Sequence, residues 1–319
     1  YLKFFSCQAI LPLILHISYK YNQPGSSLIN PLFLSDLKEN VSLTHQTRFA
    51  GLINNDLLGF QIDKYKTPIQ INILYQGVGQ IPDTRNMLMD WGYDGQFGTN
   101  DPGEGNGVLD EGERLDKSKL TFFSQQYLGM HGAFKTRIFN KNFGVAFKFL
   151  SHVIGDLSGM GVGIDIGYKS NIGDLEIAGV AKNLPASGLI WNNGDIEKTI
   201  SKLGVGAHYP IAAKIKPITV HLMSSIGLIF FDNSSKMTML NRDIEIEKCF
   251  GIEGIYDDRL FIRLGKDIFS RPTGGVGLIW KNLGLDYAFL SPSSNGLDGN
   301  HHLISININL NKLKKVLTK

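Results

Sequence analysis

The chain has 319 residues, of which 43% are hydrophobic and only 19% charged, and it contains 36 glycines. That apolar content excludes disorder, while charge below the usual ~25% and glycine above the usual ~7% speak against a helical protein. A net charge of +3, from 32 basic and 29 acidic residues, is too balanced for a protein whose affinity rests on neutralising phosphates, so no nucleic-acid partner is expected.

Taken in chain order, residues 1–18 place Lys3 ahead of an apolar run through Ile17. This predicts a partial export signal, because a membrane-spanning helix needs ~20 apolar residues and no later stretch supplies them. The alternative is a buried N-terminal helix or strand. The two cysteines are Cys7, inside that segment, and Cys249; they exclude a disulfide framework and a Cys-based zinc site.

From residue 41 onward the pattern has a period of two. Ile69, Ile71, Ile73 and Tyr75 alternate with Gln70, Asn72 and Gln76, and Met160, Val162, Ile164, Ile166 and Tyr168 alternate with glycines, Asp165 and Lys169. Leu283, Leu285, Tyr287 and Phe289 do the same, as do Ile304, Ile306, Ile308 and Leu310. Each run has one oily face and one small or polar face, as strands do. About thirteen or fourteen strands are expected, near 41–49, 56–63, 67–77, 118–127, 128–139, 142–153, 159–170, 173–183, 200–209, 217–231, 241–253, 258–267, 274–281 or 283–290, and 300–310.

Soluble sandwiches carry dense charge on the outward face. Here the second face is Gly, Ser, Asn, Gln or a lone ion, which predicts an all-β, closed antiparallel transmembrane barrel of about 14 strands over 41–310, followed by a basic tail at 311–319. Tyr75, Tyr168, Tyr209, Phe231, Trp280, Tyr287 and Phe289 are candidates for interfacial girdles. Lumen-facing candidates are Asp165, Asp243, Glu245, Glu247, Arg263 and Asp286; for the acidic run 243–247, a solvated face above the membrane is the alternative.

One segment breaks the alternation. Between 90 and 116 stand eight acidic residues and a single basic one, Arg114, within a loop expected at 78–117. A calcium loop needs oxygens at positions 1, 3, 5, 7, 9 and 12 with Gly at 6. Counting from Asp90 satisfies positions 1, 5, 6 and 12 with Asp90, Asp94, Gly95 and Asp101, and counting from Pro102 satisfies 3, 5, 6 and 12 with Glu104, Asn106, Gly107 and Glu113. Asp90, Asp94, Asp101, Glu104, Asn106, Asp110 and Glu113 are therefore candidate Ca2+ ligands, against an acidic loop that binds nothing.

No enzyme signature emerges. Gly159 to Gly163 sits inside an alternating strand and opens no helix, so it cannot cradle a phosphate. His301 and His302 start a strand, where neighbouring side chains point to opposite faces.

Three stretches carry a family resemblance: the loop Asp90 to Glu113 after Ile81-Pro82-Asp83-Thr84; Leu285 to Phe289 with Leu297 to Ile306; and Tyr21-Asn22-Gln23-Pro24-Gly25 with Val41 to His45. Together they resemble the PorV/PorQ family of outer-membrane proteins, within the FadL-like barrel class. The resemblance implies a barrel of about fourteen strands in the cell outer membrane and a short plug-like segment at 19–40. Gln23 interrupts the family's Tyr-Asn-Pro-Ala-Gly pattern and the Gly/Ala-rich stretch ahead of it is missing, so whether the lumen is plugged stays open here. The implied function is non-enzymatic service in protein secretion or surface attachment, with a secretion-system component or exported cargo as partner. Passive transport of long-chain fatty acids or other hydrophobic solutes is the alternative, and a secreted soluble calcium-binding β-protein is a third reading. With both chain ends in the periplasm, the acidic loop is expected outside the cell.

Overall fold

The computed structural model describes residues 25–34, 39–62, 67–198, 201–215, 217–232, 242–267, 271–292 and 299–310. The expected signal at 1–18 and tail at 311–319 lie outside this set. Among the described residues no helix is long and apolar enough to cross a membrane, and the chain is built from strands.

In chain order these are β1 (Asn40–Arg48), β2 (Ile53–Ile62), β3 (Ile69–Asp83), β4 (Leu88–Met89), β5 (Arg114–Leu115), β6 (Thr121–Ile138), β7 (Lys141–Ile154), β8 (Leu157–Ile172) and β9 (Leu175–Trp191). They continue with β10 (Ile196–Lys198), β11 (Lys202–Ile215), β12 (Ile218–Asp232), β13 (Arg242–Tyr256), β14 (Leu260–Lys266), β15 (Pro272–Trp280), β16 (Leu283–Leu290) and β17 (His301–Asn309). Short β4 and β5 pair only with each other, and β10 pairs along the end of β9. The other fourteen form one antiparallel sheet in chain order, with β3 beside β6 and β9 beside β11. First and last strands pair, β1 with β17, and β8 pairs with β9, so each long strand has a bonded neighbour on both sides.

Because consecutive long strands are antiparallel, connections alternate between two ends. One end holds the turns 139–140, 173–174, 257–259 and 281–282 together with Asn40 and Asn309, the outer ends of β1 and β17. The opposite end holds the connection 84–120 and the last residues of β9, β12 and β16. At the first end Phe139 and Asn140 adopt φ of 49° and 58°, the two-residue primed turn that joins right-twisted strands. A phenylalanine is disfavoured at positive φ, and this one is solvent-exposed. Replacing Phe139 by Asn is expected to stabilise the hairpin by roughly 1 kcal/mol, checked by the urea midpoint of refolded protein.

The two sheet faces invert the usual distribution. Along β7, Phe147, Phe149 and Val153 are exposed, whereas Ala146, Lys148, Leu150 and His152 are buried. On β6, Met130 is 45% exposed and His131 only 1%. On β1, Leu43 is exposed, and Ser42, Thr44 and Gln46 are buried. Oily side chains thus face out and polar ones in, with small interior clusters of Leu28, Leu57 and Leu74, and of Tyr127, Leu150 and Leu189.

Several boundaries depart from expectation. The expected strands 118–127 and 128–139 are one strand, β6, because Gly129 is not a turn but an inward position beside Leu74 of β3. The alternatives 274–281 and 283–290 are both strands, joined at Lys281, whose φ is 56°. β9 runs on to Trp191, beyond the expected 183, through an irregularity opposite Val162 to Ile166 where Asn183 takes a φ of 62°. β3 continues to Asp83, beyond 77, because an irregularity between Val78 and Ile81, with Gln80 at φ 52°, absorbs the glycines and resumes pairing with β6.

Candidate functional site

Among the described residues, two buried charge clusters stand on different walls of the interior, besides the Arg271–Asp267 pair. On the first, the Lys148 ammonium of β7 lies 2.6 Å from Asp165 Oδ1 of β8 and donates to Asn183 Oδ1 of β9 at 2.5 Å. The Asn183 backbone N–H also donates to Asp165, at 2.9 Å, and the His131 ring of β6 stands 4.0 Å from the same carboxylate. The second cluster centres on Arg263 of β14. Its Nε donates to Glu253 on β13 at 2.8 Å and its Nη1 to Asp286 on β16 at 2.6 Å. Reaching Asp286 means lying across β15, and there the chain has Gly275 and Gly277; a Cβ on Gly277 would collide with the Asp286 carboxylate. Each buried charge has an opposite partner, as a low-dielectric interior requires.

Residues 25–34 pack against this interior. Ser27 donates its N–H to Gln70 and accepts from Asn72, both on β3. Asn30 reaches the opposite side, donating to the carbonyl of Gly179 on β9 at 3.0 Å, and Lys182 donates to the Leu28 carbonyl. The seat is cut by two glycines that are register partners, Gly144 on β7 and Gly167 on β8. A Cβ on Gly144 would overlap the backbone of Pro31 and Leu32, and one on Gly167 would overlap the Asn30 side chain. Leu34 packs on Ala133 and Ala146, further small residues of the same walls.

The acidic loop folds on its own amides. Asp90 accepts from the N–H groups of Gly105, Asn106 and Gly107, and Glu104 from those of Gly98 and Asn100. Glu113 accepts from Gly92 and Asp110, and Asp101 from Asp94. Asp94 accepts from the N–H of Gln96, and Asp110 from the Asn106 side chain. One oxygen, Asp101 Oδ1, is buried without a partner; it points at Gly92, where a side chain would collide with it. Among the described residues no three His, Cys, Asp or Glu side chains converge as a metal cage. At the start of the loop Arg85 bonds Asp83 through both carboxylate oxygens and pulls its pKa down to about 2. A carboxyl held below its ordinary 3.8 supports the fold above that pH and loses the contribution as pH falls through about 2.

Of the six expected interior charges, the structure brings Arg263 and Asp286 together and places Asp165 on another wall. Asp243, Glu245 and Glu247 lie on β13 in an unbroken register with β12, at the same odd positions as buried Glu253; their side chains lie outside the described set. Sequence reasoning missed Lys148, His131, Asn183 and Glu253. A signal existed for Lys148, which stands between Phe147 and Phe149, an ionisable residue at the polar phase of an alternating strand.

No family model and no curated protein matches this chain. Among solved structures it is similar to the Pseudomonas putida toluene transporter TodX, at 8% identity over 87% of this chain and 91% of that one, TM-score 0.46. A second structure of that transporter gives 10% identity over 94% and 92%, TM-score 0.48. The β domain of the Bordetella autotransporter BrkA gives 9% over 86% and 100%, TM-score 0.33. With scores below 0.5, these likenesses do not bear on function.

Proposed function

We propose that the sheet closes into a fourteen-stranded barrel spanning the outer membrane, and that the protein works without catalysis in secretion or surface attachment, as PorV/PorQ-type proteins do. The observation that carries this reading is the inverted polarity: an outer surface of Leu, Ile, Val, Phe and Met around an interior of paired charges and amides. Lipid requires such a surface and a sheet without free edges. The same surface argues against a soluble calcium-binding protein, which would expose these side chains to water. Asp243, Glu245 and Glu247 belong to the lumen in this reading, with Asp165, Arg263 and Asp286.

Secretion service is favoured over passive transport because, among the described residues, the segment 25–34 packs across the interior. Gln46, Gln70, Asn72, Ser305, Leu290 and Leu303 are buried, and the largely exposed 84–120 connection is available to meet a partner. Reconstituted protein is expected to show no saturable uptake of long-chain fatty acid and to co-purify with an exported protein or secretion component. Saturable uptake would select the FadL-type alternative, in which residues 25–34 move aside.

Calcium in the loop is the second part of the proposal, with Asp101 Oδ1 as the oxygen available to it and Asp90, Asp94, Glu104, Asn106, Asp110 and Glu113 around it. Chelation is expected to speed proteolysis at 90–116 in intact cells while the barrel stays folded. Equal cleavage with and without chelator would refute calcium; a loop out of reach from outside would refute the topology.

A further inference from the structure

The outer surface is not uniform. On β7 the outward positions run from Phe143 to Val153, eleven residues or roughly 28 Å of membrane depth at a ~40° tilt, enough for a ~25 Å apolar band. On β1 the apolar run is only Val41 and Leu43 before His45, and the neighbouring β14, β15, β16, β17 and β2 have 7 to 10 residues against 14 to 18 in β6 to β9. His45 Nδ1 lies 2.7 Å from Asp56 Oδ1, its register partner on β2, with side chains 47% and 42% exposed. Asp56 is the one carboxylate facing outward between strand ends on the long strands, among the described side chains. One register step toward the loop end, Thr47 lies between Asn54 and His302, and His302 bonds the Tyr287 hydroxyl at 2.9 Å.

A polar patch with an acid beside a base, on a wall with a narrow oily band, is poorly matched to lipid. We propose that the β1–β2 outer face is a lateral contact surface, occupied in the membrane by a second copy of this chain around a two-fold axis. An isologous interface must be self-complementary. A two-fold axis between His45 and Asp56 sets each imidazole against the other copy's carboxylate and closes four groups into one ring. A lipid chain adds no polar partner to the pair. Association also relieves the mismatch of a short wall, which otherwise thins the bilayer. The proposal rests on the membrane-barrel reading above.

The test uses the full chain in native membranes with Cys7 and Cys249 replaced by Ser and one new cysteine, either Leu43→Cys beside the patch or Phe147→Cys on the tall wall. Oxidation is expected to give a homodimer of twice the chain mass from Leu43→Cys and none from Phe147→Cys. Adding His45→Leu and Asp56→Leu is expected to lower the yield about tenfold while the heat-modifiable folded band persists. Monomer alone, equal yield from both cysteines, or an adduct of another mass overturns the second copy. Carbonate extraction separates the two levels: a chain that washes off the membrane sinks the barrel reading and this one with it, whereas an integrated monomer sinks only the dimer.

Discussion

Replacing Arg263 by methionine is expected to destabilise the protein by about 3–5 kcal/mol, the usual effect of removing one partner from a buried charge cluster. The guanidinium is the shared cation of Glu253 and Asp286, and Glu253 is 1% exposed. Without it the buried Glu253 and the largely buried Asp286 lose their shared cation. Both Glu253→Gln and Asp286→Asn in the Arg263→Met background are expected to recover most of the loss, because an uncharged site carries little penalty for the missing cation. Urea unfolding from lipid vesicles, followed by tryptophan fluorescence, checks both. A single variant as stable as the parent would mean that water enters the cluster and solvates it.

The second large effect is expected at the glycine seat. Gly144→Ala places a methyl group in the backbone of Pro31 and Leu32, and Gly167→Ala places one in the Asn30 side chain. Overpacking of this kind costs roughly 1–3 kcal/mol when it cannot be relieved. Here relief is available: the wall strands hold their register through β7–β8 bonding, and among the described residues the segment 25–34 is held by hydrogen bonds and small apolar contacts. The double variant is therefore expected to remain a folded barrel with residues 30–32 displaced. A Ser27→Cys reporter should then react with a water-soluble maleimide much faster than in the parent, and small-solute permeation should rise. Unchanged labelling would show that the seat tolerates the methyl groups and does not hold the segment.

The alternation in the sequence places most strands, since period two survives wherever one face of the sheet is oily and the other small or polar. It failed where glycine carries two meanings. The expected break between 127 and 128 falls next to Gly129, a small inward residue of an uninterrupted strand, and the strand expected to end at 77 is carried on past Gly77 and Gly79 by a local irregularity. Arg263 and Asp286 were identifiable as interior charges from their phase, but their meeting across β15 depends on Gly275 and Gly277 clearing the path. The notch at Gly144 and Gly167 was invisible for the same reason. Register across β7 and β8, and a segment more than one hundred residues upstream, decide what those glycines admit.

The acidic loop shows a different limit. Its spacing matched half of two calcium registers, and in the folded loop the same carboxylates accept backbone amides. Carboxylate density in sequence does not distinguish these two uses, because both a cation and a ring of N–H groups relieve the repulsion.

Spin-label accessibility along β7 in reconstituted vesicles tests the inverted barrel most directly. Labels at Val145, Phe147 and Phe149 should collide with membrane-dissolved oxygen and be shielded from a water-soluble nickel complex, while a label at Ala146 should show neither pattern of exposure. Strong nickel collision at 145, 147 and 149 would place that oily face in water and contradict a membrane-spanning barrel.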